Sequence, residues 1–271
     1  MPGIHSERVG RVAVVTLANR AKRNAMTASM ASTLLDTLRD LDRDGGTRAV
    51  VVTGEGPDAF CSGHDLEEVL EHPETASDPA ANEALTMPAQ MDTPVIAAVN
   101  GAAYAGGFIL AMNADLRLVG DNARFGAVGA KIGLVPVGGQ LSRLLSALPY
   151  PVAFEMLTTT RPLAAADAVR HGFAVEQCPP SATVERAVAL GEVIAQQSPA
   201  VVRAIKRGLN RTLADGMVAG QRYEPELAAD VRARGDGDEG VRAFLERRPA
   251  EFADLPGDAM PWSSTTAATA D

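Results

Sequence analysis

From Thr93 to Ala114 the chain carries no charged side chain. A stretch of that length must be buried, either in a membrane or in a core. Pro94, Asn100, Asn113 and the glycines Gly101, Gly106 and Gly107 interrupt it. Its two halves also differ. Val95–Val99 is a β-branched and small run, whereas Gly106–Met112 reads as a helix start. The stretch is therefore a strand, a bend and a helix inside a globular core. An earlier apolar run, Ala49–Val52, leads to a second glycine-bearing bend, Ala59–Leu66, and a short helix, Leu66–Leu70. Between Val12–Leu17 and that run lies Met26–Leu41, with Met30, Leu34, Leu38 and Leu41 at helical spacing. A helical crossover of that length joins parallel strands, so the pattern predicts an α/β fold.

The rest of the chain follows from the same signals. Ile4–Leu17 reads as two strands meeting at Gly10-Arg11. Glu83–Met91 reads as helix, Leu116–Val119 as strand, and His72–Ala80 as a polar, mobile segment. Short helices are expected at Leu141–Leu148, Pro151–Leu157 and Ala164–His171, with a brief strand at Phe173–Glu176. Longer helices follow over Ser181–Gln197, Val201–Leu213, Gly216–Arg234 and Asp238–Glu246. This divides the chain into a core over 1–195, a helical segment over 196–255 and a disordered tail over 256–271.

Charge and motifs narrow the function classes. The net charge of -9 and the lack of a Lys/Arg block argue against nucleic acid and against a polybasic membrane anchor. Cys61 and Cys178 are too few for a disulfide scaffold or an all-cysteine zinc site. The four histidines, His5, His64, His72 and His171, show no metal-ligand spacing, so no metal is expected. There is no P-loop, H-E-x-x-H, C-x-x-C or G-x-S-x-G motif. Met1–Gly10 lacks an apolar leader core, so a soluble cytoplasmic protein is expected.

What remains is the pair of bends, Ala59–Leu66 and Asn100–Gly107. In a parallel sheet, strand ends that feed helices lie on the face where ligands bind. Glycine lets backbone N–H groups approach a ligand, and a helix N-terminus adds unsatisfied donors. Two such donors on one oxygen form an oxyanion hole.

With their contexts these bends resemble the crotonase (enoyl-CoA hydratase/isomerase) superfamily. The matching segments are Asn19-Arg20 with Asn24-Ala25-Met26, Ala59–Leu66, Pro94–Gly101 with Ala105-Gly106-Gly107, and Asp115. They continue through Phe125-Gly126, Ile132–Pro136 with Gly138-Gly139, and Gly240–Arg248. The resemblance spans roughly residues 10 to 253. It implies repeated ββα units, C-terminal helices that build a homotrimer or a hexamer of two trimers, and an acyl-CoA thioester ligand. No separate cofactor is implied, coenzyme A being part of the substrate. The two oxyanion donors fall on the backbone N–H groups of His64 and Gly106. Contacts to coenzyme A or the acyl group fall on Lys22, Ala25, Cys61, Gly63, Asp65 and Leu66. Further contacts fall on Tyr104, Gly107, Ile109 and Gly129, with Phe244 and Arg247 on the last helix.

The chain departs from this pattern at the acid/base positions. A hydratase of the family carries one glutamate three residues after the oxyanion glycine, where Ile109 stands here. The second glutamate stands four residues after the Phe of Phe125-Gly126, where this chain has Gly129. Alternative carboxylate positions hold Ala130 and Gly138. Hydration is therefore expected to be weak or absent, and glutamates restored at 109 and 129 are expected to raise it. His64, Asp65, Tyr104 and Lys131 are the other groups that could move a proton. The alternative is an acyl-CoA-binding protein that does no chemistry.

Overall fold

The computed structural model describes residues 2–73, 75 and 78–256. The expected disordered tail beyond Pro256, and part of the polar segment after His72, lie outside the described residues.

Ten strands and twelve α-helices follow one another among the described residues. The first hairpin pairs β1 (Gly3–Val9) with β2 (Val12–Ala18), antiparallel, around Gly10-Arg11. Helix α1 (Ala28–Arg43) then crosses to β3 (Ala49–Gly54), parallel to β2. β5 (Val95–Val99), β7 (Leu116–Gly120) and β10 (Glu176–Cys178) extend the parallel run. The resulting six-stranded sheet has the order β1-β2-β3-β5-β7-β10.

Both faces of this sheet are covered, which explains why its strands read as continuous apolar runs. Val50, Val52, Val95, Ala97 and Val99 face the main core with Met30, Leu34 and Leu38 of α1. Their neighbours Ala49, Val51, Ile96 and Ala98 face a second cluster that includes Ala187 of α9 (Thr183–Ala195). Gly191 brings α9 close to the sheet, because a Cβ there would lie 3.1 Å from both Val12 methyls.

A second sheet goes beyond the strand–bend–helix reading. Within each bend a three-residue strand precedes the helix: β4 (Ala59–Cys61) and β6 (Ala102–Tyr104). With β8 (Arg124–Gly126) and the two-residue β9 (Leu163–Ala164) they form the order β4-β6-β8-β9. This is the ββα repeat. Helix α2 (Leu66–Glu71) follows β4, and α4 (Gly106–Asn113) follows β6. Phe108 of α4, Phe125 of β8 and Phe173, all fully buried, pack together with ring centroids 5.0 to 6.3 Å apart.

Most element ends fall within two residues of expectation, and three differences are larger. Helix α3 runs over Pro79–Gln90 and starts earlier than the pattern gave, because the Asp78 side chain accepts from Ala80 N–H and Pro79 suits a first turn. After the four-residue α5 (Gly129–Ile132), only Leu144–Ala147 of the expected 141–148 helix is α-helical, as α6. The expected strand over Phe173–Glu176 lies over Glu176–Cys178, after α7 (Tyr150–Thr159) and α8 (Ala165–Arg170).

The first compact unit runs to Ala195 and leaves out Arg43–Gly46; the second takes Arg43–Gly46 and the chain from Gln196. The second unit contains α10 (Pro199–Asp215), α11 (Met217–Arg232) and α12 (Asp236–Glu246). Its small core joins Ala200, Ala204, Leu227 and Leu255. The Ile205, Leu209 and Leu213 stripe of α10 is more than half exposed at each residue. No helix among the described residues is long and apolar enough to cross a membrane.

Candidate active site

The two bends touch. A Cβ placed on Gly63 would lie 2.9 Å from the Ala105 methyl and 3.3 Å from Gly106 N. Gly63 has φ +102°, a conformation that L side chains rarely adopt. Helix α4 is pressed onto β4 as closely: a Cβ on Gly107 would sit 2.0 Å from Cys61 O. Only glycine allows that approach.

Hydrogen bonds fix where the amides of these bends point. Met26 N–H donates to Gly63 O at 2.7 Å. C=O and N–H point in opposite directions across a trans peptide, so the His64 N–H faces away from Met26. Ile109 N–H donates to Ala105 O at 3.0 Å, so the Gly106 N–H projects out of the start of α4. Among the described residues, neither the His64 nor the Gly106 N–H donates to a protein acceptor. Ala105, between β6 and α4, has φ +47° and ψ -116°. Such backbone is costly for a residue with a side chain, about 1–3 kcal/mol.

A polar frame supports the bends. Fully buried Asn24 donates from Nδ2 to Ala59 O at 2.8 Å and Glu55 O at 3.1 Å, and its Oδ1 accepts from Asn19 N–H at 3.1 Å. Asn100 donates to Gly54 O at 2.8 Å and to Gly56 O. Asp65 caps α2 by accepting from Glu67 N–H at 3.1 Å. Its other oxygen accepts from Lys22 Nζ at 2.7 Å, and that bond holds the Asp65 carboxyl below the usual carboxylate range.

The side chains around the bends are mostly apolar. Leu85 of α3 covers Gly106, with Cδ1 3.1 Å from where a Cβ would stand. Ala25 is buried and Leu66 exposed. A Cβ on Gly126, the partner of Tyr104 across β6 and β8, would lie 2.2 Å from Cδ1 and Cε1 of the Tyr104 ring. Cys61 is fully buried, and burial pushes its thiol up to about 11, so it is a neutral packing group at pH 7. Burial also lowers the His64 pKa, while nearby Glu68 and Asp78 raise it.

The two positions where the resemblance expects glutamates are apolar and tight. Ile109 is 6% exposed, and a Cβ on Gly138 would stand 2.6 Å from its Cγ2. At Gly129 a Cβ would lie 2.5 Å from the Leu134 carbonyl oxygen, which is backbone. Position 129 is therefore sterically closed as well as lacking a side chain. The gain expected from a glutamate there requires the 129–134 turn to reshape.

On α12 in the second unit, Phe244 is 83% exposed and Arg247 caps the helix with φ 55°. Arg248 pairs with Glu239 at 2.6 Å and Glu246 at 2.7 Å. Among the described residues Arg247 has no ion pair.

In the sequence, Asn24, Met26 and Asn100 stand out only as parts of motifs, with no individual role. No local signal distinguishes Leu85 from the other apolar residues of α3.

Comparison with known proteins is consistent with this geometry. Residues 7–255 match the profile of the enoyl-CoA hydratase/isomerase family. The enoyl-CoA hydratase EchA19 of Mycobacterium tuberculosis is 32% identical over 252 residues, 91% of this chain and 94% of that protein. A carnitinyl-CoA dehydratase of Citrobacter koseri is 33% identical over 251 residues, 90% of this chain and 96% of its own. The crystal structure of an enoyl-CoA hydratase from Bacillus anthracis superposes with a TM-score of 0.88 at 26% identity, covering 92% of this chain and 98% of that one.

Proposed function

The chain belongs to the enoyl-CoA hydratase/isomerase family, and from that premise we propose that it binds an acyl-CoA thioester and stabilises an enolate-like oxyanion at its carbonyl. The observation that carries this reading is the pair of adjacent bends whose His64 and Gly106 N–H groups have no protein acceptor among the described residues.

A thioester oxygen placed between these amides accepts two hydrogen bonds. Negative charge that develops on it, when electrons flow in from the acyl α-carbon, is held by donors already in place. The first turn of α4 adds its dipole. Leu85 and Ile109 give the site low polarity, which strengthens both bonds.

Proton transfer is the part this chain lacks at the family positions. Ile109 and Gly129 carry no titratable group, and general acid/base catalysis typically contributes about 10²–10⁴-fold. Hydration of an enoyl-CoA is therefore weak or absent. The second reading is a binding protein that performs no chemistry, which the absence of a titratable side chain at Ile109 and Gly129 motivates. Crotonyl-CoA turnover, followed by thioester ultraviolet absorbance alongside calorimetric binding, tests both. Binding with slow turnover supports the enzyme, and binding alone supports the second reading. Absence of binding refutes both.

The same reading gives a homotrimer or a hexamer. Exposed Ile205, Leu209, Leu213, Met217 and Val218 are the apolar surface it would bury. A mass matching the monomer in light scattering at micromolar concentration would refute it. Arg247 is the proposed cation for a coenzyme A phosphate, and the setting is the cytoplasm.

A further inference from the structure

Lys22 stands in the loop where the family resemblance puts a coenzyme A contact, yet its ammonium is already engaged. Nζ lies 2.7 Å from Asp65 Oδ2 and 2.8 Å from Glu67 Oε2. A lysine between two carboxylates is a poor phosphate ligand, because a phosphate there would meet two like charges. Arg20 and Arg23 of the same loop are exposed and have no ion pair among the described residues.

The placement of the Lys22 bridge suggests a different role. Residues 22–26 run alongside residues 62–65. Ser62 N–H donates to Arg23 O at 3.2 Å, Met26 N–H to Gly63 O at 2.7 Å, and Asp65 N–H to Met26 O at 2.9 Å. These bonds bracket His64, and the middle one sets the direction of its N–H. The Lys22 bridge is the ionic contact that ties the two segments together. Arg23 and Asn24 are both left-handed, at φ 55° and 56°, so this loop has backbone strain that a strap must hold down.

We propose that Lys22 is a positioning residue: by bridging Asp65 and Glu67 it holds the 22–26 segment against the 62–65 bend and so aims the His64 N–H at the thioester oxygen. The proposal rests on the thioester reading above. A half-exposed ion pair adds little to global stability, so its effect lies in the alignment of one donor. Misplacement of about 1 Å at a reacting group costs on the order of 10²-fold in rate.

The test is isotope-edited infrared spectroscopy of butyryl-CoA labelled with carbon-13 at the thioester carbonyl. Two hydrogen bonds to that oxygen lower its stretching frequency on binding. With wild-type protein the bound carbonyl shifts down. Lys22→Met loses most of the downshift, while the melting temperature and the affinity for unacylated coenzyme A stay near wild type. Lys22→Arg restores the downshift. Asp65→Asn keeps a capping oxygen for α2 but loses the charge, and it behaves as Lys22→Met does, which covers a Lys22→Met protein that fails to fold. A full downshift in both Lys22→Met and Asp65→Asn overturns the inference. So does a loss of about tenfold or more in affinity for coenzyme A in Lys22→Met, since that assigns Lys22 to the phosphates. No downshift in the wild type refutes the thioester reading itself, a result distinct from either.

Discussion

Ile109→Glu is the sharpest probe of the missing acid/base groups, because its cost follows from burial. Ile109 is 6% exposed and packs on the turn at Gly138. Removing its branched side chain from the core forfeits about 1.5–3 kcal/mol. The new carboxyl stands within the main apolar cluster. Burial of this kind raises a glutamate by up to about 3–5 pH units, each worth about 1.4 kcal/mol. At pH 8 the penalty is then about 4–5 kcal/mol, because a carboxyl whose folded pKa lies above 8 is still protonated there and only the gap between pH 8 and the unfolded value counts; that is a large part of a typical domain's stability of about 5–15 kcal/mol. The sign follows from linkage. The folded pKa lies above the unfolded value of about 4.3, so the ionic penalty is absent below that pH. It grows as pH rises toward the folded pKa and is constant beyond it. Ile109→Gln carries the packing and polar costs without this pH dependence. Urea unfolding of both variants from pH 5 to pH 8 should show Ile109→Glu losing midpoint steadily relative to Ile109→Gln. Two parallel curves would refute the reasoning, because they would mean that water or a counter-ion reaches position 109. Adding Gly129→Glu places a Cβ 2.5 Å from Leu134 O, so the double variant is expected to lose further stability without gaining hydration.

Other predictions follow from the frame of the site. Ala105→Gly relieves backbone at φ +47° and should raise stability by about 1 kcal/mol, seen as a higher melting temperature; a lower one would show that the Ala105 methyl contributes more packing than the strain costs. Asn24→Ala removes three side-chain hydrogen bonds from a fully buried site and should cost about 2–4 kcal/mol in urea unfolding, whereas a loss below 1 kcal/mol would contradict the pinning role. The His64 imidazole should titrate below 6.5 by NMR, and lower still in Glu68→Gln and Asp78→Asn; an upward shift in those variants would reverse the assigned signs. Because that folded pKa is lowered, burial of His64 costs stability as pH falls below about 6.5 and costs nothing above it.

The main sheet was legible because its strands are apolar on both faces and its crossover helix repeats at 3.6 residues. Met30, Leu34, Leu38 and Leu41 all lie in the core as their spacing predicts. The second sheet was not legible from periodicity. Ala59–Cys61, Ala102–Tyr104 and Arg124–Gly126 are each three residues long, too short to show an alternation. The α10 stripe shows the opposite case: Ile205, Leu209 and Leu213 recur at helical spacing, yet they face outward, because a pattern marks an apolar face without naming its neighbour. The bends were found from glycine and strand-to-helix signals. The direction of their amides was not, since it depends on Met26, far away in sequence, donating to Gly63. At Lys22 the sequence offered a cation, and only coordinates revealed the two carboxylates that occupy it.

Both polarising groups of the proposed site belong to the main chain, and apart from the Lys22 bridge the bonds that orient them join main-chain atoms. Selection can therefore rewrite the side chains at 64, 104, 109 or 129 without dismantling the donors. Such a scaffold can lose one chemistry and acquire another while its grip on the ligand persists. A library randomised at Ile109 and Tyr104, with the 22–26 and 62–65 segments untouched, is accordingly a better route to new reactivity than grafting a complete site from a relative.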